Sequence, residues 1–205
     1  MSASVPSDRL GQPADAEPDE HHLANVRIGV RLLSSGVVFL FMAFTFAFWY
    51  LRELNSNHDF HPANVNPPQG YGIAILVCVI ATAIVFRRAR SELAADHEQF
   101  WRPTAIAGLA LGCVTFVLQI VEYLELPFKT ASGGFASVFW GWTVVFIAVW
   151  LAALYWMETM VAETLRRVST DGPAVPVEAA DACLVFLYTL AGIEIVGYIF
   201  LYLVK

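Results

Sequence analysis

The sequence predicts an all-α integral membrane bundle of five transmembrane helices. Of the 205 residues, 58% are hydrophobic, which is more than a soluble domain of this size normally contains. The chain has five apolar runs, and each approaches or exceeds the roughly 20 residues that a membrane-spanning helix needs. The loops between these runs are too short to form a second domain, so the runs make up one membrane domain.

The predicted domain organisation is a short tail followed by the membrane domain. Residues 1–25 contain five acidic residues and three prolines, which predicts a solvated, disordered acidic tail. We expect this tail to be inert rather than partner-binding, and it lacks the basic start and apolar run of a signal peptide. Residues 26–205 form the five-helix transmembrane domain. Its spans are predicted at residues 28–51, 70–86, 104–123, 134–157 and 182–204.

Aromatic residues gather near the ends of these spans. The first span, for example, ends in Trp49-Tyr50-Leu51-Arg52, where two rings stand beside a cation. The second span ends directly before the cation Arg87. Amphipathic rings near span ends usually lie at the lipid headgroups, so we expect an anchoring role for them. The residues concerned are Trp49, Tyr50, Tyr71, Trp101, Tyr155, Trp156 and Tyr202.

The third span carries small and polar residues on one helical face. Small residues allow helices to pack closely, and polar residues in a bilayer need partners. An acid at membrane depth is costly, so Glu122 is predicted to be buried in protein or functional. Gln119 lies one turn away, where the two side chains can share a hydrogen-bond network. Spacings of four, three, four and three residues along the sequence place five residues on this helical face, namely Gly108, Gly112, Thr115, Gln119 and Glu122.

The fifth span contains a second intramembrane acid, Glu194. The helical period puts it on one face with Ala191, Tyr198 and Leu201. Two interpretations remain open. Glu194 is either a structural acid that is hydrogen-bonded to a neighbouring helix, or a site for a proton or a lipid headgroup.

The distribution of arginine and lysine predicts the orientation. Nine of the twelve cations lie on the N-terminal side of the predicted membrane, and Arg52, Lys129 and Lys205 lie on the other. Loops rich in these residues usually stay in the cytoplasm, so we expect a cytoplasmic N-terminus and an external C-terminus. The nine are Arg9, Arg27, Arg31, Arg87, Arg88, Arg90, Arg102, Arg166 and Arg167.

Histidine and cysteine positions argue against an intramembrane cofactor. None of the five histidines lies in a predicted span, so the axial ligands of a membrane haem and the ligands of a copper centre are missing. His58 and His61 form an H-x-x-H pair, which we interpret as part of a solvated loop rather than a metal site. Cys78, Cys113 and Cys183 are widely separated and are interpreted as packing residues. We therefore predict no catalytic, cofactor-binding or metal-binding residue on this chain.

Four short motifs give the chain a family resemblance. The first span closes in an aromatic-rich Tyr50-x-Arg52, and the third carries Gln119-x-x-Glu122-Tyr123. The fourth has Ala136-Ser-Val-Phe139 followed by Thr143, and the fifth has an acid within Ile193-Glu194-Ile195-Val196. In order, spacing and topology these motifs resemble subunit III of the haem-copper respiratory oxidases. The resemblance is to the five-helix bacterial form, which lacks the first two helices of the family.

Several positions depart from the family pattern. Gly36 and Val37 stand where the family has a Ser-Glu pair in the first span. Phe146 and Val149 replace two histidines of the fourth span. Any part that those family residues play in lipid binding or proton uptake is therefore not carried over to this chain.

The resemblance implies an accessory, cofactor-free subunit in the bacterial inner membrane. Such a subunit would pack against oxidase subunits I and II, where haem and copper are expected, and would bind phospholipid. It would support aerobic electron transport and proton uptake by a cytochrome c oxidase-type enzyme without a catalytic centre of its own. The resemblance implies buried polar, lipid or subunit contacts for Arg52, Gln119, Glu122, Tyr123 and Glu194.

Two alternatives remain open. A subunit-III-like protein associated with nitric oxide reductase would have the same five-helix plan. A small proton-coupled membrane transporter would instead use Glu122 and Glu194 as proton sites and would function alone or as a homo-oligomer.

Overall fold

The computed structural model describes residues 19–54, 60–62, 65–166 and 175–204, apart from the side chains of residues 19–24 and 98. These residues form an all-helical fold that contains five helices long and apolar enough to cross a membrane. The predicted fold class is therefore confirmed, and the chain has the character of a multi-pass membrane protein. The predicted tail up to residue 18, His58 of the H-x-x-H pair, Arg9, Arg167 and Lys205 lie outside the described residues.

Each predicted span lies within one helix, and the helices extend past the apolar runs. This extension is expected where helix ends continue through the headgroups into water. The first helix, Asp19–Glu53, also includes residues 19–25, which the sequence placed in the disordered tail. In the second helix, for example, Arg88 and Glu92 form an i,i+4 ion pair of 2.7 Å beyond the predicted end of the span. The helices are α1 (Asp19–Glu53), α2 (Gln69–Ala94), α3 (Glu98–Glu125), α4 (Gly134–Arg166) and α5 (Val177–Tyr198), which continues as a π-helical turn (Ile199–Val204).

Helices α4 and α5 form the centre of the bundle. Half of the most apolar stretch of each is buried, compared with a third or less for the other three helices. Helix α2 packs on α3 and α5, whereas α1 packs on α5 and α4. The outward faces of α1, α2 and α3 are correspondingly apolar and exposed, as lipid-facing surfaces are.

The small-residue face of α3 packs closely against α4. All five residues that the spacing placed on this face are buried. The indole nitrogen of Trp150 donates a hydrogen bond of 3.1 Å to the carbonyl oxygen of Gly112. A Cβ atom at Gly112 would overlap the side chain of Leu154, and one at Gly108 would lie 3.5 Å from Met157. The glycines therefore permit the close approach of α3 to α4.

Two aromatic residues that were predicted to anchor at the headgroups are instead buried. Trp101 is fully buried and makes an edge contact with Phe86 at 5.9 Å between ring centroids. Tyr202 is only 3% exposed because the π-helical turn directs it into the bundle. The anchoring prediction is therefore wrong for Trp101 and Tyr202.

Candidate functional site: a buried carboxyl site

Glu122 is the centre of a hydrogen-bonded site between α3 and the end of α5. Its side chain is fully buried, one turn before α3 ends at Glu125. The amide nitrogen of Gln119 donates to Oε2 at 2.7 Å, and the hydroxyl of Tyr202 donates to Oε1 at 2.5 Å. Both oxygens of Glu122 therefore have a donor within the bundle.

The π-helical turn places Tyr202 opposite Glu122. The turn follows α5 directly and covers Ile199–Val204. A π turn changes the direction in which successive side chains point, and such turns are frequent at functional sites. Carbonyl oxygens at this helix end accept hydrogen bonds from other helices. Gln69 of α2 donates to the carbonyl of Tyr202 at 3.3 Å, and Arg52 of α1 donates to the carbonyl of Val204 at 3.4 Å.

Contacts from three elements fix the ring of Tyr202. Tyr198 stacks on it with ring centroids 5.3 Å apart, and Phe139 of α4 meets it edge-on at 5.9 Å. On α2, Gly72 lies so close that an added Cβ would be 2.5 Å from the ring carbon Cε1. Only glycine at residue 72 leaves room for the ring at its present position.

Glu194 belongs to the same interior. It is only 8% exposed. Among the described residues, no side chain forms a hydrogen bond or ion pair with the Glu194 carboxyl. The structure thus buries both intramembrane acids, and among the described residues it gives hydrogen-bond donors only to Glu122.

Tyr123 and Arg52 lie at the edge of this site. Tyr123 stacks on Trp140 with ring centroids 4.8 Å apart, and its buried hydroxyl has no hydrogen-bond partner among the described residues. Arg52 is half-buried, with its guanidinium 5.5 Å from the ring centroid of Trp49. Arg52 contacts the π-helical turn rather than either acid.

Two residues of the site were missed by sequence reasoning. Tyr202 is the principal donor to Glu122, and Gly72 is the residue that makes room for its ring. A tyrosine near a span end predicts a headgroup anchor, and a glycine near a helix start is common. The spacing of four between Tyr198 and Tyr202 puts Tyr202 on the side of the helix that carries Glu194, which is a signal for an inward position, whereas no pattern distinguishes Gly72.

The arrangement is suited to holding a proton or a fixed polar contact. Carboxyl groups with hydroxyl and amide neighbours can bind and release protons, and they can also lock helices together. Within the part of the chain that the structure describes, no three His, Cys, Asp or Glu residues form a group that could hold a metal ion. The site therefore offers acid and hydrogen-bond chemistry.

Comparison with known proteins does not assign this chain to a family. A scan against models of known protein families finds no match to this chain. A search of curated proteins likewise finds no significantly similar sequence.

Proposed function

We propose that this chain is an accessory, cofactor-free subunit III of a bacterial haem-copper terminal oxidase, most simply a cytochrome c oxidase. The observation that supports the proposal most directly is the hydrogen-bonded site built on Gln119-x-x-Glu122. This motif is one of the four that carry the resemblance to subunit III, and its two polar residues share one buried network. Such a network fixes the packing of α3 against the end of α5 and suits a subunit whose task is to support a partner.

The proposed role is structural support of the catalytic subunit. The chain would pack against subunits I and II in the inner membrane, with its N-terminus in the cytoplasm. Haem, copper and electron transfer belong to the partner subunits in this proposal. The contribution of this chain is to stabilise them during oxygen reduction and proton uptake.

Two apolar grooves beside α1 support the expectation of bound phospholipid. One groove lies between α1 and α5, has a volume of about 340 Å³ and includes Phe41, Thr45 and Gly192 in its lining. The other lies between α1 and α4 and has a volume of about 450 Å³. Their linings are mainly apolar, so acyl chains are suitable occupants.

Purification of the tagged full-length chain from native membranes in mild detergent tests this proposal. We expect a large haem- and copper-bearing subunit to co-purify, identified by mass spectrometry and by its haem spectrum. A colourless preparation that contains only this chain would contradict the proposal. If the large partner is instead a nitric oxide reductase, the chain is the subunit-III-like protein associated with that enzyme and not an oxidase subunit. Gene neighbours would corroborate this conclusion.

A proton-coupled transporter is the second candidate. The observation that favours it is the burial of two acids, Glu122 and Glu194, in the interior of the bundle. A transporter of this kind would function without a haem-bearing partner. The test is proton flux into liposomes that contain the purified chain alone. A flux that is lost in Glu194→Gln but kept in Glu125→Gln would support the transporter over the accessory subunit.

A further inference from the structure

We propose that the outer groove between α3 and α4 receives a transmembrane helix of a partner protein, and that a Lys or Arg near the end of that helix pairs with Glu158. This groove would serve the membrane partner that the proposed function requires. The pairing rests on the proposed function only for the existence of such a partner, and it requires no haem.

Two cavities on the outer side of the bundle form one groove, because Tyr155 and Glu158 line both of them. The first cavity lies between α3 and α4, has a volume of about 410 Å³ and includes Leu109 and Leu151 in its lining. The second has a volume of about 540 Å³ and continues along α4 to Arg166. From Leu151 to Arg166 the axial distance along α4 is roughly 22 Å, at 1.5 Å per residue. The groove is therefore long enough to hold about four turns of another helix.

Glu158 lies at the edge of the apolar zone of the bundle. Its neighbour Met157 lies 3.5 Å from the position of a Cβ atom on Gly108, and the backbone nitrogen of Phe86 lies 3.8 Å from the same point. Phe86 is the last residue of the predicted second span, and Arg87 follows it. Helix α4 therefore presents an exposed acid near the level at which α2 changes from apolar to basic.

The bundle pairs another acid at this surface but leaves Glu158 without a cation. Asp181, near the start of α5, accepts hydrogen bonds of 2.5 and 2.8 Å from Arg90 of α2. Within the part of the chain that the structure describes, Glu158 forms no ion pair or side-chain hydrogen bond. An acid at the edge of a bilayer is costly without a partner. A cation from another protein would provide that partner.

A helix with a basic end fits this groove better than a lipid does. Membrane helices commonly carry Lys and Arg at their cytoplasmic ends, and the surface that bears Glu158 is the predicted cytoplasmic one. The apolar part of such a helix would pack on Leu109 and Leu151, with its cation opposite Glu158. An acyl chain gives Glu158 no countercharge, and an anionic headgroup would be repelled by it.

Photo-crosslinking in native membranes tests this surface directly. The tagged full-length chain carries benzoylphenylalanine in place of Tyr155, which is 68% exposed. The matched control carries it in place of Phe46, an aromatic residue of α1 that is 69% exposed. We expect residue 155, and not residue 46, to capture a second polypeptide. Mass spectrometry should place the crosslink in an apolar membrane-spanning segment that ends in Lys or Arg.

Charge variants test the pairing with Glu158. The residue is exposed, so its replacement should leave the fold intact. Glu158→Lys should remove most of the captured polypeptide, because two like charges would then face each other. Reversal of the cation in the captured segment should restore capture by Glu158→Lys. The control Glu125→Lys, which changes an exposed acid at the far end of α3, should leave capture unchanged.

Four results would overturn the proposal. Residue 155 would capture only lipid or nothing, it would capture a second copy of this chain, it would capture no more than residue 46, or its capture would be unchanged in Glu158→Lys. The outcomes also separate this groove from the proposed function. A captured partner that carries no haem would contradict the proposed function and leave the groove as a docking surface. A haem-bearing partner that co-purifies while residue 155 captures only lipid would contradict the docking surface alone.

Discussion

The hydroxyl of Tyr202 donates a hydrogen bond of 2.5 Å to the carboxylate of Glu122, across 80 residues of sequence. This bond joins the end of the chain's last helix to α3, and Gly72 of α2 makes room for it. Loss of either partner leaves the other buried without its hydrogen bond, and an unsatisfied buried polar group is costly. The bond therefore links α3 to the end of α5, beside a close approach of α2.

We predict that Tyr202→Phe destabilises the bundle by about 1–3 kcal/mol, the usual cost of leaving a buried acceptor without its donor. The ring itself is preserved, so its packing against Phe139 is kept. Thermal unfolding in detergent, followed by a fluorescence probe, measures the change. The matched control is Tyr198→Phe, which removes a hydroxyl from the ring stacked on Tyr202 and leaves the Glu122 bond intact. Equal losses in the two variants would contradict the importance of the Tyr202 bond.

We predict that Gly72→Ala displaces the ring of Tyr202 and reproduces the destabilisation of Tyr202→Phe. The new methyl group would lie 2.5–2.8 Å from three ring carbons, which is too close for an unchanged structure. Overpacking of this kind typically costs about 1–3 kcal/mol. The control is Gly70→Ala, two residues earlier, where an added Cβ meets nothing within 4 Å. Similar stability of the two alanine variants would show that the ring can move without penalty.

The ion pair between Arg90 and Asp181 should contribute modestly to stability. Arg90 of α2 donates two hydrogen bonds, of 2.5 and 2.8 Å, to the carboxylate at the start of α5. The side chains are 34% and 45% exposed, so water and salt screen the attraction. We expect Arg90→Gln to cost up to about 1 kcal/mol, less at high salt.

The charge-swapped double variant tests whether the Arg90 effect comes from the pair itself. Arg90→Asp combined with Asp181→Arg should recover part of the stability lost in either single variant. Arg88→Gln is the control, because its guanidinium is 75% exposed and pairs within the same helix. If the double variant is no more stable than the single ones, the two residues act independently.

The sequence was sufficient to predict the helices and the polar face of α3, because both depend on local periodicity. A run of apolar residues identifies a span wherever it lies in the fold. Gln119 and Glu122 lie within one helical turn, so their proximity is a property of the helix alone. For the same reason, the close-packing face with Gly108 and Gly112 was visible as a repeated spacing.

The partner of Glu122 could not be predicted, because it depends on tertiary structure. Tyr202 lies four residues after Tyr198 and eight after Glu194, so the helical period places it on the same side of the helix. The period does not say which helix that side meets, and so it does not identify Tyr202 as the donor to Glu122. The proximity of α2 to the end of α5, which gives Gly72 its role, has no local signature in the sequence.

The most direct test of the central claim is the amount of haem that co-purifies with each tagged chain, compared between wild type and Glu122→Ala. We predict that the wild type co-purifies with a haem-bearing partner, at a fixed molar ratio of haem to tagged chain. Glu122→Ala should lower that ratio, because it removes the acceptor of the hydrogen bonds from Gln119 and Tyr202. The helical bundle would then be less stable and would bind its haem-bearing partner less well. The exposed control Glu125→Ala should retain the wild-type ratio. A wild-type chain that purifies without haem, or a Glu122→Ala variant with an unchanged ratio and unchanged thermal stability, would contradict the account.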